Sequence, residues 1–235
     1  MLPKIFTKYQ NICIIAPHQD DEILGLGGTI AFLIKHHKNI HIIFTTNGEK
    51  GIKKSLPIIT SFIRAKEFQE VKKTLLNEFN LSQKDFNLKE YFLNFPDGKL
   101  EQNFSKLKEK LNSLLIQIKP DLIFLPNIND WHNDHKISHT ACFESLIDLK
   151  TKNILIDALI YEVWSPFAQA DIHINITEFA SLKRKLIQCY ASQVKQLDFE
   201  SSIMGLNAYR SMFLKKEERL VGQNNYVESF CKLIF

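Results

Sequence analysis

The sequence predicts an α/β domain in which mainly parallel strands form one sheet with helices on both faces. Short β-branched segments alternate with longer segments whose apolar residues recur at helical spacing. This alternation favours right-handed crossovers between parallel strands. A chain of 235 residues is long enough for one large domain with a sizeable core. We therefore expect a single domain over residues 1–235, with the α/β core in residues 1–165 and C-terminal additions in residues 166–235.

Apolar runs and helical periodicity locate the individual elements. Core strands are predicted at Asn11–Ala16, Asn39–Thr45, Glu90–Phe95, Asp121–Leu125 and Leu155–Trp164. Helices are predicted at Gly27–His37, Thr60–Leu76, Asn103–Ile118, Asp134–Leu149, Glu178–Ala191 and about Glu200–Lys215. The polar–apolar alternation of Asp171–Ile176 predicts an exposed antiparallel strand, and Asn47–Ile59 is expected to be a long mobile loop.

Composition and charge exclude several classes of protein. Hydrophobic residues make up 45% of the chain and charged residues 24%, as in ordinary globular proteins. The net charge of +4 comes from scattered basic residues, which permit an anionic substrate but are too sparse to indicate nucleic-acid binding. The longest apolar runs have the length of strands, so no membrane span is expected. The four cysteines form no Cys-x-x-Cys pair, which favours free thiols and a cytoplasmic location; the oligomeric state is left open.

A segment directly after the first strand carries four ionisable side chains. Residues Ala16–Glu22 include His18, Asp20, Asp21 and Glu22. Adjacent carboxylates repel each other, and a divalent metal ion would neutralise them. The alternative is a solvated loop in which Asp20 or Asp21 caps the next helix. An imidazole beside paired acids favours the metal site.

A second cluster follows the fourth predicted strand. His132, Asp134 and His135 stand together there, although an ordinary helix start with Asp134 as N-cap would also explain them. If the strand order is 3-2-1-4-5, the first and fourth strands are neighbours at the switch point where ligands bind in such sheets. The two clusters would then face each other across one crevice, which favours a shared metal site.

The residue types of the two clusters suit hydrolysis. Zinc in a hydrolytic site takes about three protein ligands and keeps one position for water, and His18, Asp21 and His135 could supply those ligands. Asp20 would then lie beside the ion and could take a proton from the bound water that acts as nucleophile.

The second cluster also offers an acid. His132 could stabilise a developing oxyanion and protonate a leaving amine, with Asp134 holding its imidazole in the charged form. By contrast, the glycines of Gly25–Gly28 do not make a dinucleotide motif, because the spacing G-x-G-x-x-G would need a glycine at Ile30. We expect them to allow close packing where the first helix begins.

Pro17–Glu22 together with His132–His135 resembles the signature of the LmbE-like (PIG-L) N-acetylglucosaminyl de-N-acetylases. Further similarity lies at Thr45–Glu49, Arg64–Glu67, Phe95–Gly98, Tyr190–Gln193 and Val227–Phe230. The resemblance implies a Rossmann-like fold and the metal-dependent removal of acetyl from an N-acetylated sugar, which releases acetate and a free amine. The sugar could be free, carried on a phosphate, a nucleotide or a lipid, or part of a glycoconjugate.

The resemblance also implies roles for individual residues. It implies His18, Asp21 and His135 as ligands of Zn²⁺ or Fe²⁺, Asp20 as general base, and His132 as acid with Asp134 behind it. It implies Arg64 as a substrate contact, for which the alternative is a surface ion pair with Glu67 or Glu70. Asp97 is by default a turn residue, with a contact to a sugar hydroxyl as the alternative. Gln19 stands where the family commonly has proline.

Two other functions use the same residues. An iron oxygenase with two histidines and one carboxylate could be built from His18, Asp20 and a distant histidine, but that chemistry usually occurs in an all-β fold. A carbohydrate-binding module could keep the metal without turnover, although Asp20 and His132 argue for catalysis.

Overall fold

The computed structural model describes residues 3–234, and its strands form one sheet at the centre of the molecule. These are β1 (Asn11–Ala16), β2 (Asn39–Thr46), β3 (Leu88–Phe95), β4 (Leu122–Pro126), β5 (Asp157–Tyr161), β6 (Ile172–Asn175) and β7 (Val227–Leu233). Their order in the sheet is β3-β2-β1-β4-β5-β7-β6. All neighbours are parallel except β7, which runs antiparallel to both β5 and β6.

Helices cover both faces of the sheet. They are α1 (Asp21–Lys35), α2 (Pro57–Glu78), α3 (Phe104–Ile118), α4 (Asn133–Lys150), α5 (Ala180–Cys189), the short α6 (Ala191–Val194) and α7 (Phe199–Arg210). Alternate residues of β1 point to opposite faces: Ile12 and Ile14 pack with α1, α2 and α5, whereas Cys13 and Ile15 pack with α3 and α4. Because both faces are buried, the central strands are apolar throughout.

This architecture confirms the predicted α/β fold with its mainly parallel sheet. The order of the first five strands is 3-2-1-4-5, so β1 and β4 are neighbours, which is the condition under which the two clusters were expected to meet. Their carboxyl ends lie at the point where successive strands are added in opposite directions, which is where ligands bind in doubly wound sheets. Both ionisable clusters follow these two strands.

Several predicted boundaries are wrong because tertiary contacts override local patterns. The first helix begins at Asp21 instead of Gly27, so two of the clustered acids lie in its first turn, where the N-terminal dipole favours negative charge. The fifth strand is only Asp157–Tyr161, since the chain leaves the sheet where Glu162 turns to bind Arg210 at 2.8 and 2.6 Å.

The C-terminal additions also differ from prediction. The strand Val227–Leu233 was not predicted, yet it lies between β5 and the expected antiparallel strand, which spans Ile172–Asn175. The last helix ends at Arg210, because Ser211–Phe213 tightens into a 3₁₀ turn. The fifth predicted helix is shortened at both ends, and the second begins at Pro57, which reduces the preceding loop to residues 47–56.

The glycines of α1 permit close packing, as expected, but they lie within the helix and not at its start. A Cβ atom on Gly25 would lie 2.4 Å from Cδ2 of Tyr161, and one on Gly28 would lie 2.6 Å from Cβ of Ile176. Both distances are far below van der Waals contact. No helix within residues 3–234 combines the length and apolar character that crossing a bilayer requires.

Candidate active site

The loop between β1 and α1 holds Asp20 in an unusual backbone conformation. Its φ is 150° and its ψ −29°, a combination that residues with side chains rarely adopt. The Asp20 N–H donates to Oε2 of Glu22 at 3.0 Å, and its carbonyl accepts the N–H groups of Ile23 and Leu24 at 3.0 and 2.8 Å. The Asp20 side chain makes no capping hydrogen bond to α1. Its Oδ1 lies 2.9 Å from Nη2 of Arg64 instead.

The three residues expected to bind a metal ion come together from the two sides of the switch point. Oδ2 of Asp21 lies 3.3 Å from Nδ1 of His18 and 3.2 Å from Nε2 of His135. Asp21 also accepts the N–H of His18 at 2.8 Å, which fixes the loop against the first turn of α1. One ring nitrogen each from His18, His132 and His135 lies within 4.8 Å of the others.

Asp130 supports His135 from behind, and sequence reasoning missed it. Its Oδ2 lies 3.2 Å from Nδ1 of His135, and its Oδ1 accepts the N–H of His132 at 3.2 Å. Both Asp130 and His135 are fully buried. A carboxylate behind a ligating imidazole orients the ring and makes it a stronger donor. The sequence offered one signal for this role, an acidic residue five positions before His135 in the same loop.

His132 is the N-cap of α4, and this contact defines the protonation of its ring. Nδ1 accepts the N–H of Asp134 at 3.3 Å, which requires that nitrogen to be unprotonated. Burial lowers the pKa of His132, and His18 and His135 lower it further. A neutral ring of this tautomer carries its proton on Nε2. His132 is thus arranged as a neutral hydrogen-bond donor and not in the expected charged form.

The carboxylates of Asp134 and Asp97 face His18. Oδ2 of Asp134 accepts the N–H of Gly98 at 2.7 Å and lies 3.4 Å from Nε2 of His18. The expected role of Asp134 requires a contact between its carboxylate and the His132 ring. Within residues 3–234 no hydrogen bond or ion pair joins the two. Oδ1 of Asp97 lies 3.5 Å from the same His18 nitrogen. Asp97 therefore lies in the site and is more than a turn residue.

Arg64 reaches the site from α2 and is only 3% exposed. Besides its contact with Asp20, Nη2 donates a short hydrogen bond to the carbonyl of Gln19. The alternative of a surface ion pair is wrong, because Glu67 accepts instead the N–H and the hydroxyl of Ser192 at 2.6 and 2.8 Å. Arg64 lines the pocket above Asp20.

The burial of many acids shifts their pKa values strongly. Burial raises the pKa of Asp20 to about 6, although Arg64 opposes the rise. Burial likewise raises the pKa of Glu22 to about 8, against the hydrogen bond from the Tyr190 hydroxyl. Burial alone would also raise the pKa of Asp21, but His135 and His18 hold it well below its usual range. Burial therefore disfavours the charged forms of Asp20 and Glu22, whereas the neighbouring histidines favour the charged form of Asp21.

The histidines respond to the same acids. Burial alone would lower the pKa of His135, but Asp21 and Asp130 raise it to about 9. In His18 the effect of burial is likewise overcome by acids, among them Asp134 and Asp21, so that its pKa is raised. The surroundings of both imidazole rings thus stabilise positive charge.

These residues fit a divalent metal ion. Nε2 of His18 and Nε2 of His135 are buried, and neither has a hydrogen-bond partner in the described part of the chain. The Asp21 carboxylate, which lies against one ring nitrogen of each histidine, would be neutralised by the ion. Imidazole and carboxylate donors suit both Zn²⁺ and Fe²⁺. A second set of donor atoms within 4.8 Å comes from His18, Asp97, His132 and Asp134.

A pocket of about 290 Å³ opens above this cluster. Its walls include Asp20, Arg64, Asp97 and His132, all named from the sequence. They also include Lys50, Trp164, Gln193 and Phe199, which received no role there. Gln193 belongs to one of the segments that carried the family resemblance, but Lys50, Trp164 and Phe199 stand in no motif. Only the folded chain brings them to the pocket.

The fold and the cluster define an α/β protein with a candidate metal centre at the switch point of its sheet. The family model described as GlcNAc-PI de-N-acetylase (PIG-L) matches residues 13–146, more than half of the chain and both ionisable clusters. The chain therefore belongs to this family, as its resemblance indicated. Its members are deacetylases, that is, hydrolases that act on amides.

Solved structures of the same fold come from several organisms. N,N'-diacetylchitobiose deacetylase from Pyrococcus horikoshii has a TM-score of 0.78 and 21% identity, over 99% of this chain and 87% of that chain. The conserved protein TT1542 from Thermus thermophilus has a TM-score of 0.74 and 23% identity, over 94% of both chains. GalB, the 4-carboxy-2-hydroxymuconate hydratase from Pseudomonas putida, has a TM-score of 0.72 and 15% identity, over 96% of both chains. Because the last is a hydratase, likeness at this level shows the fold alone.

Proposed function

We propose that this protein hydrolyses the acetamide of an N-acetylated sugar, releasing acetate and a free amine, and that it uses one divalent metal ion. The observation that carries the proposal is the meeting of His18 and His135 around Asp21, where the buried Nε2 atom of each histidine faces carboxylate oxygens without a hydrogen bond. We propose these three residues as the metal ligands. Zn²⁺ is the first candidate and Fe²⁺ the second, since the donor set suits both.

The remaining residues supply the proton transfers. When bound, the ion would lower the pKa of a coordinated water to about 7 and polarise the carbonyl. We propose that Asp20 takes the proton of the attacking water, because Arg64 holds Oδ1 at 2.9 Å and leaves Oδ2 for this task. Geometry close to the reacting atoms is the first requirement of a general base.

His132 would act on the opposite side of the amide. Its Nε2–H can donate to the oxygen on which negative charge develops. Asp20 can then pass its proton to the leaving nitrogen, and the amine departs. Asp134 would act through the backbone, because its N–H holds Nδ1 of His132 at 3.3 Å. Asp97 and Arg64 are proposed to contact the sugar from the pocket wall.

The substrate class follows from the family and the pocket. A cavity of about 290 Å³ lined by carboxylates, an arginine, a lysine and aromatic rings suits one hexosamine unit. Lys50 on the wall would accept a phosphate-linked or nucleotide-linked sugar. All four cysteines are free thiols, the state that a reducing compartment maintains, so we propose a cytoplasmic location. The oxygenase alternative is not favoured, because the sheet is mainly parallel and flanked by helices.

Acetate release from a panel of N-acetylhexosamine derivatives tests this function. The Zn²⁺-loaded protein should release acetate and amine in equal amounts. Asp20→Asn should lower turnover about 10²–10⁴-fold at unchanged metal content, since the amide keeps the shape of the side chain. Asp148→Asn, a surface change beside Lys108, is the matched control and should keep full activity. Acetate release that survives in Asp20→Asn would remove Asp20 from the mechanism, and a non-catalytic module would release none.

A further inference from the structure

A second cavity adjoins the catalytic pocket and shares a wall with it. Trp164 and Phe199 line both spaces. Their rings meet edge to face, with centroids 5.5 Å apart and planes at 68°. The second cavity measures about 300 Å³, close to the 290 Å³ of the catalytic pocket. The two spaces therefore adjoin at this aromatic pair, and a ligand in the first lies next to the second.

The walls of the second cavity are almost entirely apolar. They include Val163, Leu197 and Leu206 besides the aromatic pair, and Ser202 contributes the one hydroxyl among the described lining residues. That hydroxyl donates to the carbonyl of Asp198 at 2.8 Å, so it is already paired. A phosphate or nucleotide placed here would lose water without gaining partners, which is unfavourable. Hydrocarbon is the chemistry that this space accommodates.

The rim of the catalytic pocket continues this apolar surface. Trp131 is 64% exposed, and its ring lies 5.7 Å from the ring of Trp164 and 5.5 Å from that of His132. Exposed tryptophan offers a large rigid face for a sugar ring or a hydrocarbon group. An unbroken path of aromatic rings thus leads from His132 to the second cavity.

We propose that the second cavity binds an apolar substituent, such as an alkyl or aryl group, that the substrate carries next to its N-acetylated sugar. This inference rests on the proposed function and narrows its substrate to amphiphilic sugar conjugates. Each cavity is at the lower end of the ~300–1,000 Å³ that small-molecule sites span. Together they have the size of a conjugate and not of a single sugar.

Glycosides of N-acetylglucosamine with methyl, hexyl and octyl groups test the inference. Each buried methylene contributes about 0.8 kcal/mol, which corresponds to roughly a fourfold gain in affinity. With only two methylenes buried, KM should fall at least tenfold from the methyl to the octyl glycoside. Turnover at saturation should change little, because the reacting amide lies in the other pocket. Equal KM values along the series would overturn the inference.

A pair of variants on α7 locates the effect. Ser202→Lys places a charge in the cavity and should abolish the gain from chain length. Ser201→Lys, its exposed neighbour outside the cavity lining, is the matched control and should keep that gain. If both variants keep the gain from alkyl length, the alkyl group binds elsewhere and the inference is wrong. Thermal unfolding of both variants would show that the fold is retained.

A binding measurement separates this inference from the proposed function. Calorimetry with the same glycosides reports affinity without turnover. Octyl binding at least tenfold tighter than methyl binding, lost in Ser202→Lys, would support the cavity even if no acetate were released; the deacetylase proposal alone would then fail. Acetate release with no dependence of affinity on chain length would support the deacetylase proposal and overturn the inference about the second cavity.

Discussion

Asp20 combines a strained backbone with a proposed role in catalysis. A conformation such as its φ of 150° costs about 1–3 kcal/mol and persists only where surrounding contacts hold it. Here Glu22 holds the N–H, the first turn of α1 holds the carbonyl, and Arg64 holds the carboxylate. The strained backbone directs the Asp20 carboxylate into the pocket instead of across the end of α1. Asp20 therefore occupies the N-cap position without using its side chain as a cap.

His132 and His135 are three residues apart and are proposed to have different roles. We expect His132→Ala to lower turnover about 10²–10⁴-fold while metal content stays near that of the wild type, because Nδ1 of His132 is already used by the N–H of Asp134. His135→Ala should lose the metal. Metal analysis beside kinetics checks both. Equal metal loss in the two variants would make His132 a ligand, since it belongs to both sets of neighbouring donor atoms.

Asp130 is expected to affect the metal without touching it. Asp130→Asn keeps the shape of the side chain but removes the charge 3.2 Å from Nδ1 of His135. Loss of such a partner typically weakens metal binding about 10–100-fold. Competition with a chelator measures this affinity, with Asp85→Asn on the surface as the control. An unchanged dissociation constant would mean that Asp130 serves only the backbone of His132.

At the scale of elements, α1 connects the site to the rest of the fold. It starts with Asp21 and Glu22 at the site and is buried along nearly its whole length. Glu228 of β7 accepts the N–H groups of Gly28 and Thr29 at 2.8 and 2.7 Å in the middle of this helix. Lys183 of α5 donates to the carbonyl of Leu24 at 2.9 Å and to Glu228 at 2.7 Å. Buried charge from two later elements thus fixes the helix that carries the site.

Gly28→Ala should lower the free energy of unfolding by about 1–3 kcal/mol, the usual range for overpacking a core. The new methyl group would lie 2.6 Å from Cβ of Ile176, so α1 or its neighbour must move. Gly205→Ala in α7 is the matched control, because nothing lies within 4 Å of its added Cβ. That change should stabilise by up to about 1 kcal/mol. Urea unfolding measures both, and equal effects would contradict the packing argument.

At the scale of the whole molecule, the C-terminal third is part of one structural unit with the core. β7 and β6 extend the sheet beyond β5. Arg210 of α7 binds the carboxylate of Glu162, at the end of β5, with both side chains buried. Residues of this third also line the catalytic pocket, where Gln193 and Phe199 complete its wall. The additions therefore belong to the site as well as to the fold.

Removal of the metal should affect activity and stability together. Chelation is expected to abolish acetate release, and added Zn²⁺ or Fe²⁺ should restore it. The metal-free protein should also unfold at a lower temperature, since a ligand at 100 times its dissociation constant stabilises the folded state by about 2.7 kcal/mol. Calorimetric scans with and without Zn²⁺ measure this shift. Full activity of the metal-free protein would refute the metal-dependent mechanism.

Sequence patterns predict the structure of this protein where the signal is local. The run Asn11–Ala16 predicts its strand with the observed ends, because a strand buried on both faces is apolar at every position. The boundaries failed where distant contacts decide them: α1 begins six residues before the predicted Gly27, where Asp21 meets His18 and His135. β7 was missed because its sequence carries Glu228 and Ser229, whose partners lie far away in the chain.

By itself, the sequence determined the class of fold and the two ionisable clusters that follow its first and fourth strands. Periodicity and short motifs act within a few residues of the chain, so they can be read without coordinates. Only the tertiary structure decided that Asp130 lies against His135, that Nδ1 of His132 is an acceptor, and that Trp164 and Phe199 line two adjoining cavities. These features depend on the orientation of side chains that distant elements pack against each other. A hydrophobic pattern does not specify that orientation.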